Sequence, residues 1–102
     1  MINILVKQHN FINLIEVSGH ADYAQYGSDI VCASVSTAVI LSINLIDSFK
    51  KIDKIAYEYN EDGYVKIVVK SFDETIEVIL NNLLDALKDL ELQYPENIKI
   101  KQ

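Results

Sequence analysis

The chain has 102 residues, a length that suits one hydrophobic core, so residues 1–102 are expected to form a single domain. Half of the residues are hydrophobic and 24% are charged, which is the balance of a folded globular protein. Nine lysines, no arginine and fifteen acidic residues give a net charge of -6, which argues against nucleic-acid binding. A basic protein partner is compatible with that charge.

Cys32 is the single cysteine, which excludes an intramolecular disulfide and a paired-cysteine redox or zinc motif. One thiol and no signal peptide predict a cytoplasmic protein. The longest apolar run, 38–46, is interrupted by Ser42 and Asn44 and is far shorter than the roughly 20 residues a bilayer needs, so no membrane span is expected. No spacing of His, Cys and carboxylates indicates a metal, and no cofactor is expected.

Alternating apolar residues predict a hairpin at the N-terminus, with strands over residues 2–7 and 11–18 and a short polar link between them. The next segment, GHADYAQYG at 19–27, has a glycine at each end and no clear period, and is expected to form a loop. A helix over about residues 30–50 follows, with Ser28 or Asp29 as its cap.

This first helix is apolar on nearly every side, although a surface helix usually keeps one polar face. A stripe at spacings of three and four residues is expected to face the core: Val31, Val35, Ala38, Ser42, Leu45 and Phe49. The remaining apolar residues predict that the helix is also buried against a second subunit, that is, a homodimer.

The second half of the chain repeats the pattern of hairpin and helix. Strands are predicted around residues 55–59 and 65–69, and a second helix over about 73–92. The helix is preceded by a capping box that begins at Ser71, and it ends before Pro95. The alternating tail at 98–100 predicts an added edge strand. The order ββαββα(β) predicts an α+β fold, an antiparallel sheet packed with two helices.

Cys32 and His20 are the residues that carry the strongest chemical signal. With Asp29 as the helix cap, Cys32 would lie at the third helical position, where the positive end of the helix and free N–H groups favour a thiolate and an oxyanion. The loop that starts at Gly19 and closes at Gly27 could bring the His20 imidazole to the sulfur. A Cys–His pair is the minimum for nucleophilic acyl transfer.

Each of these residues also has a plainer interpretation. A cysteine in an apolar run is usually a small buried hydrophobe, and His20 beside a glycine is compatible with a turn residue. Ser36, one turn beyond Cys32, can hydrogen-bond near the thiol or simply pack between helices. Asp29 suits a helix cap better than an acid, and His9 suits an exposed turn.

Residues 19–36 contain a motif of fixed positions: Gly19-His20-Ala21, then Gly27-x-Asp29-Ile30-Val31-Cys32-Ala33, then Ser36. This motif resembles the signature of the ribosomal-processing cysteine protease family, Prp (YsxB-like). The His-to-Cys spacing is twelve and the Cys-to-Ser spacing is four, as in the family. Ser34 departs from the small alanine or glycine of the family's pattern, a change that should leave the chemistry intact.

The resemblance implies a homodimeric α+β cysteine endopeptidase that removes the N-terminal extension of a bacterial large-subunit ribosomal protein. It assigns Cys32 as nucleophile, His20 as general base and acid, and Asp29 and Ser36 as supporting residues. Gly19 and Gly27 would frame a loop that moves to admit the peptide. The sequence leaves two alternatives open: a non-catalytic module that binds a ribosomal-protein tail, and a thiol-based redox sensor, which would lack a resolving cysteine.

Overall fold

The computed structural model describes residues 1–19, 28–60 and 63–102, and for Ser28 and Asp29 it describes the backbone alone. Within these ranges a five-stranded sheet packs with two helices. The elements in chain order are β1 (Ile2–His9), β2 (Phe11–Ser18), α1 (Ser28–Ser48), a short 3₁₀ turn (Ile52–Lys54), β3 (Ile55–Tyr59), β4 (Val65–Val69), α2 (Glu74–Gln93) and β5 (Ile98–Lys101).

The strand order β3-β4-β2-β1-β5 makes each helix a crossover between parallel strands. β2 and β3 both run antiparallel to β4, so α1 crosses over β4. β4 and β5 are likewise parallel to each other, so α2 crosses over β2 and β1. Right-handed crossovers that leave the sheet in opposite directions from antiparallel strands place both helices on the same face.

The core lies between that sheet face and the two helices, which pack against each other. Alternate strand residues point into it, for example Ile4 opposite Val17 and Ile15 opposite Ile67. α1 contributes a row that includes Val31, Val35, Val39 and Ile46, and α2 contributes Ile76, Ile79, Leu80, Leu83, Leu84 and Leu87. Full burial of each such side chain stabilises the fold by about 1.5–3 kcal/mol.

The α+β fold and the order of elements predicted from the sequence are confirmed. The sheet is mixed rather than purely antiparallel, because β5 joins the edge parallel to β1, with Ile2 opposite Ile98. The parallel pairing follows from α2, whose 20 residues are long enough to carry the chain back to the starting edge of the sheet. The tail therefore forms an edge strand, as the alternation at 98–100 predicted.

The predicted capping box at Ser71 is wrong. Asp73 caps α2 instead: its carboxylate accepts hydrogen bonds from the backbone N–H of Thr75 at 2.8 Å and of Ile76 at 3.1 Å. The same carboxylate pairs with Lys51 at 2.5 Å and Lys54 at 3.2 Å. The start of α2 is thereby tied to the segment that joins α1 to β3.

The apolar stripe predicted for α1 is only partly correct. Val31 and Val35 face the core, but Leu45 and Phe49 are about half exposed, and Val39 and Ile46 are buried in their place. The sequence pattern could not separate the two sides, because α1 carries apolar residues around most of its circumference.

α1 also bears on the expectation that no membrane span is present. Within the described part of the chain, Ile30–Ser48 is long and apolar enough to cross a membrane by length and composition alone, with a mean hydropathy of 1.9. The expectation rested on the run 38–46 alone, whereas the apolar character extends over nearly the whole helix. A core helix meets the same criterion, and one face of α1 lies in the core. Only 28% of the span is buried, however, so much of its apolar surface is uncovered.

The Asp73 ion pairs predict a pH-dependent contribution to stability. The hydrogen bond from the Lys51 side chain is the largest effect that holds the pKa of Asp73 well below its ordinary value. Burial opposes it, and hydrogen bonds from the Ile76 backbone N–H and the Lys54 side chain add to it. A depressed pKa stabilises the fold above the unfolded-state value of about 3.9, and that stabilisation is lost as the pH falls toward the folded-state value. Asp73→Asn keeps a capping side chain but removes the charge, so it should lower Tm at pH 7, and the difference from wild type should shrink below about pH 4. Thermal unfolding from pH 7 to pH 2 measures this.

Asp85→Asn, an exposed aspartate on the same helix, is the control and should show no comparable pH dependence. A Tm difference for Asp73→Asn that stays constant down to pH 2 would contradict the assignment.

Candidate active site

The ends of several elements meet at one edge of the molecule, and this is where Cys32 lies. β2 and β3 both finish there, and α1 begins there, because a helix that crosses between parallel strands starts where the first strand ends. Gly19 confirms the convergence, since its α-carbon lies against the backbone carbonyl of Met1, at the start of β1. Gly63, just before β4, approaches the carbonyl oxygen of Gly19.

Gly19 is fixed as glycine by this position. Its φ of 93° lies in the region that side chains disfavour, and a β-carbon would collide with the Met1 carbonyl oxygen. The end of β2 is therefore held close to the start of β1 at the point where the chain leaves the sheet toward α1. The expectation that Gly19 acts as a hinge is not tested by this contact.

Cys32 is the fifth residue of α1, because the helix begins at Ser28. The predicted third position assumed a cap at Asp29, but the backbone of Asp29 is already helical. The thiol is half-buried and packs against the edge of the core. Since helical side chains lean toward the N-terminus, Sγ extends over the first turn, where N–H groups lack helical partners.

Ser36 lies one turn after Cys32 and is also half-buried. Ser34, Ser42 and Ser48 each donate to the carbonyl oxygen four residues earlier, at 2.8 to 2.9 Å. Among the described residues the Ser36 hydroxyl makes no such bond to the Cys32 carbonyl, so its donor is not committed to the helix backbone. The predicted pairing of Ser36 with Cys32 on one helix face is present.

The row that begins with Cys32 and Ser36 continues to Ile40, which is 41% exposed. On the other side of α1, Leu41 and Leu45 border α2. At 3.6 residues per turn the two rows are about 180° apart around the helix. The Cys32 row therefore faces away from α2, toward the half of the sheet that ends in β3.

Two tyrosines of β3 lie on the same side, and the sequence analysis did not single them out for function. Tyr57 and Tyr59 are opposite the buried residues Ile67 and Val65, so their side chains point to the helix-bearing face. They are 51% and 55% exposed. Their alternation was visible in the sequence, but that β3 is an edge strand beside the Cys32 side of α1 follows only from the strand order.

Tyr64 differs from these two residues. Its hydroxyl donates to Glu16 at 2.6 Å on the face of the sheet that carries no helix. This hydrogen bond, with smaller effects of burial and of the Glu16 and Glu58 charges, raises the pKa of Tyr64 to about 12. Tyr64 is therefore held protonated and points away from the layer that contains Cys32.

The other predicted site residues cannot be placed against Cys32. His20 and Gly27 lie outside the described residues, as does the side chain of Asp29. Among the described residues no group of three or more His, Cys, Asp or Glu side chains is arranged to hold a metal ion. The described part of the site thus offers one half-buried thiol near the start of a helix and a hydroxyl one turn beyond it, with the two exposed tyrosines on the same side of the molecule.

Comparison with known proteins identifies the family of this chain. The family model described as Cysteine protease Prp matches residues 1–99. The chain belongs to the cysteine protease Prp family. Its activity class is therefore that of a cysteine protease, as the Cys32 signature predicted.

Members of the Prp family match nearly the whole chain. The ribosomal processing cysteine protease Prp of Staphylococcus aureus is 30% identical over 102 residues, which cover 97% of this chain and 94% of that protein. The crystal structure of S. aureus Prp with a substrate peptide has a TM-score of 0.87 and 27% identity, covering 99% of this chain and 98% of that one. A second S. aureus Prp structure, with a covalently linked product peptide, has a TM-score of 0.83 and 28% identity at the same coverage.

Alanine at Gly19 should be more destabilising than alanine at Gly63. Both glycines have positive φ, 93° and 84°, so each substitution costs roughly 1–2 kcal/mol of backbone strain. Gly19→Ala adds the collision with the Met1 carbonyl, whereas at Gly63 the nearest atom to a β-carbon is 3.8 Å away. Urea unfolding of both variants measures the difference. Equal loss of stability in the two would contradict the close approach of Gly19 to Met1.

Proposed function

We propose that this protein is a cytoplasmic endopeptidase that removes the N-terminal extension of a large-subunit ribosomal protein. Cys32 is the nucleophile and His20 the general base and acid, within a single protease domain formed by residues 1–102. The observation that carries the proposal is the position of Cys32: a half-exposed thiol at the start of α1, where the strands end, in a chain of the Prp family. The name of the S. aureus relative and its two peptide-bound structures support the substrate class.

The reaction follows from the chemistry of a thiol and an imidazole. His20 takes the proton from Cys32, and Sγ attacks the scissile carbonyl carbon. Free N–H groups in the first turn of α1 stabilise the oxyanion. His20 then gives the proton to the leaving amine, which departs with the mature ribosomal protein. Water, deprotonated by His20, hydrolyses the thioester and releases the extension.

The resemblance to the family motif gives Asp29 and Ser36 supporting roles, and their positions near the start of α1 are compatible with those roles. Ser36 offers a hydroxyl that is not bonded back to the helix, and it orients the thiol or the imidazole from the next turn. Asp29 is in the first turn of α1, where its charge favours the helix start and can orient His20. Gly19 and Gly27 bound the segment that carries His20 and let it move when the peptide enters.

The net charge of -6 supports a basic substrate, because opposite charge accelerates the encounter of protein partners. The same charge argues against a nucleic-acid partner. We propose no membrane partner, and no cofactor, because acyl transfer by a thiol and an imidazole needs no cofactor.

Loss of either member of the pair should abolish processing. The substrate is a ribosomal protein that still carries its extension. Cys32→Ala and His20→Ala should each lower kcat/KM for its cleavage by about 10²–10⁴-fold or more. Ser34→Ala, whose hydroxyl bonds to the Ile30 carbonyl, is the matched control and should cleave like wild type. Cleavage by a folded Cys32→Ala variant would overturn the mechanism, and binding without cleavage by wild type would favour the non-catalytic module.

We also propose that the protein is a homodimer, formed through the exposed apolar side of α1 next to α2. Leu41 is 62% exposed and Leu45 is 46% exposed, and both border an open groove between the helices. The groove is lined by Ala38, Leu41, Ser42, Leu45, Ile79, Asn82, Leu83 and Ala86. A second copy would bury this surface, which a monomer leaves in water.

Charge in this groove should dissociate the dimer. Leu41→Glu should shift the sedimentation coefficient at micromolar concentration from that of a dimer to that of a monomer, because a buried unpaired carboxylate is costly. Leu92→Glu, on α2 at an 81% exposed position outside the groove, should leave the dimer intact. A wild-type monomer at micromolar concentration, or a dimer unaffected by Leu41→Glu, would contradict this interface.

A further inference from the structure

The pairing of β3 with β4 determines which backbone groups of β3 face the outer edge of the sheet. The Lys70 N–H donates to the Lys54 carbonyl at 2.8 Å, and the Asn60 N–H donates to the Tyr64 carbonyl at 3.1 Å. In an antiparallel ladder every second residue bonds to the neighbouring strand, so Ala56 and Glu58 bond to β4. The odd-numbered residues of β3 therefore direct their backbone N–H and C=O groups away from the sheet.

Tyr57 and Tyr59 are the residues that present these outward groups. The N–H of Ile55 is already used, since it donates to the Ile52 carbonyl of the preceding turn. Within the described chain, no hydrogen bond occupies the outward N–H and C=O of Tyr57 or Tyr59. The same two residues carry the exposed rings on the helix-bearing face, so unpaired backbone and uncovered aromatic surface coincide.

β3 lies on the side of the sheet toward which the Cys32 row of α1 is turned. β3 is the terminal strand of the sheet, and α1 crosses from β2 to β3 with its Cys32 row turned away from α2. Tyr59 ends β3 at the same edge of the molecule at which α1 begins. The opposite edge strand, β5, carries Lys99 and Lys101, charges of the kind that discourage strand pairing.

We propose that the substrate segment binds as an added strand on β3, with its backbone paired to Tyr57 and Tyr59 and its side chains packed on their rings. An extended peptide supplies donors and acceptors at every second residue, which matches the spacing of these two tyrosines. The added strand extends the sheet on the side toward which the Cys32 row is turned, and the peptide continues past the end of β3, where α1 begins, toward the thiol. The inference deepens the proposed function and rests on it for the identity of the peptide.

The experiment measures peptide binding apart from cleavage. The probe is a fluorescent peptide that spans the junction between the extension and the mature ribosomal protein, and its Kd for the Cys32→Ala protein is measured by anisotropy. A series of peptides, each with one N-methylated backbone amide, should bind about tenfold more weakly at positions two residues apart and nearly normally at those between. Tyr57→Ala and Tyr59→Ala, in the same Cys32→Ala protein, should each raise the Kd of the unmodified peptide several-fold.

The controls distinguish a loss of this binding surface from a general loss of folding or of thiol reactivity. Leu92→Ala should bind like the parent protein, and in the presence of Cys32 the tyrosine variants should keep the wild-type rate of alkylation by iodoacetamide. No binding, loss of binding without a two-residue period, or unchanged Kd in both tyrosine variants would overturn the inference. A change in sedimentation of the tyrosine variants would also overturn it, because a second copy would then occupy the edge. Cleavage by the wild-type enzyme is a separate readout, and its absence would count against the proposed function rather than this surface.

Discussion

The crossover of α1 between two parallel strands is the constraint on which the rest of the structure depends. Because β4 lies between β2 and β3, the chain must leave the sheet at the end of β2, cross over β4 and return to begin β3. This forces the start of α1 to the edge of the molecule at which β2 and β3 end. It also turns one row of α1 toward the edge strand and the opposite row toward α2. The position of Cys32, the exposed tyrosines and the apolar groove are three consequences of this one path.

Three rows of side chains explain why the sequence of α1 is apolar nearly all round. One row is buried in the core, a second borders α2 in an open groove, and a third runs from Cys32 to Ile40 on the side away from α2. Each row has a different role: the first in folding, the second in the proposed association with a second copy, and the third in the proposed contact with substrate. A helix with a single hydrophobic stripe could serve only the first.

Much of the fold was predictable from the sequence because its strands alternate and its second helix has a clear apolar face. The cap of α2 was mispredicted since Ser71 and Asp73 both offer suitable oxygens, and Asp73 alone meets Lys51 and Lys54, which are distant in sequence. The parallel pairing of β5 was missed because strand alternation carries no information on direction. For the site, the spacing of Cys32 and Ser36 was sufficient to place them on one helix face. The Tyr57 and Tyr59 edge was not predictable, because it depends on strand order.

The proposed reaction is that the thiol at the start of α1 cuts one bond of a ribosomal protein. Intact mass spectrometry of that protein, in its extended form, after incubation with the enzyme tests the claim most directly. We expect two products whose masses sum to the parent plus one water, from a single cut that removes the N-terminal extension, and no products with Cys32→Ala. An unchanged parent mass with folded wild-type enzyme, or the same cut made by Cys32→Ala, would contradict it.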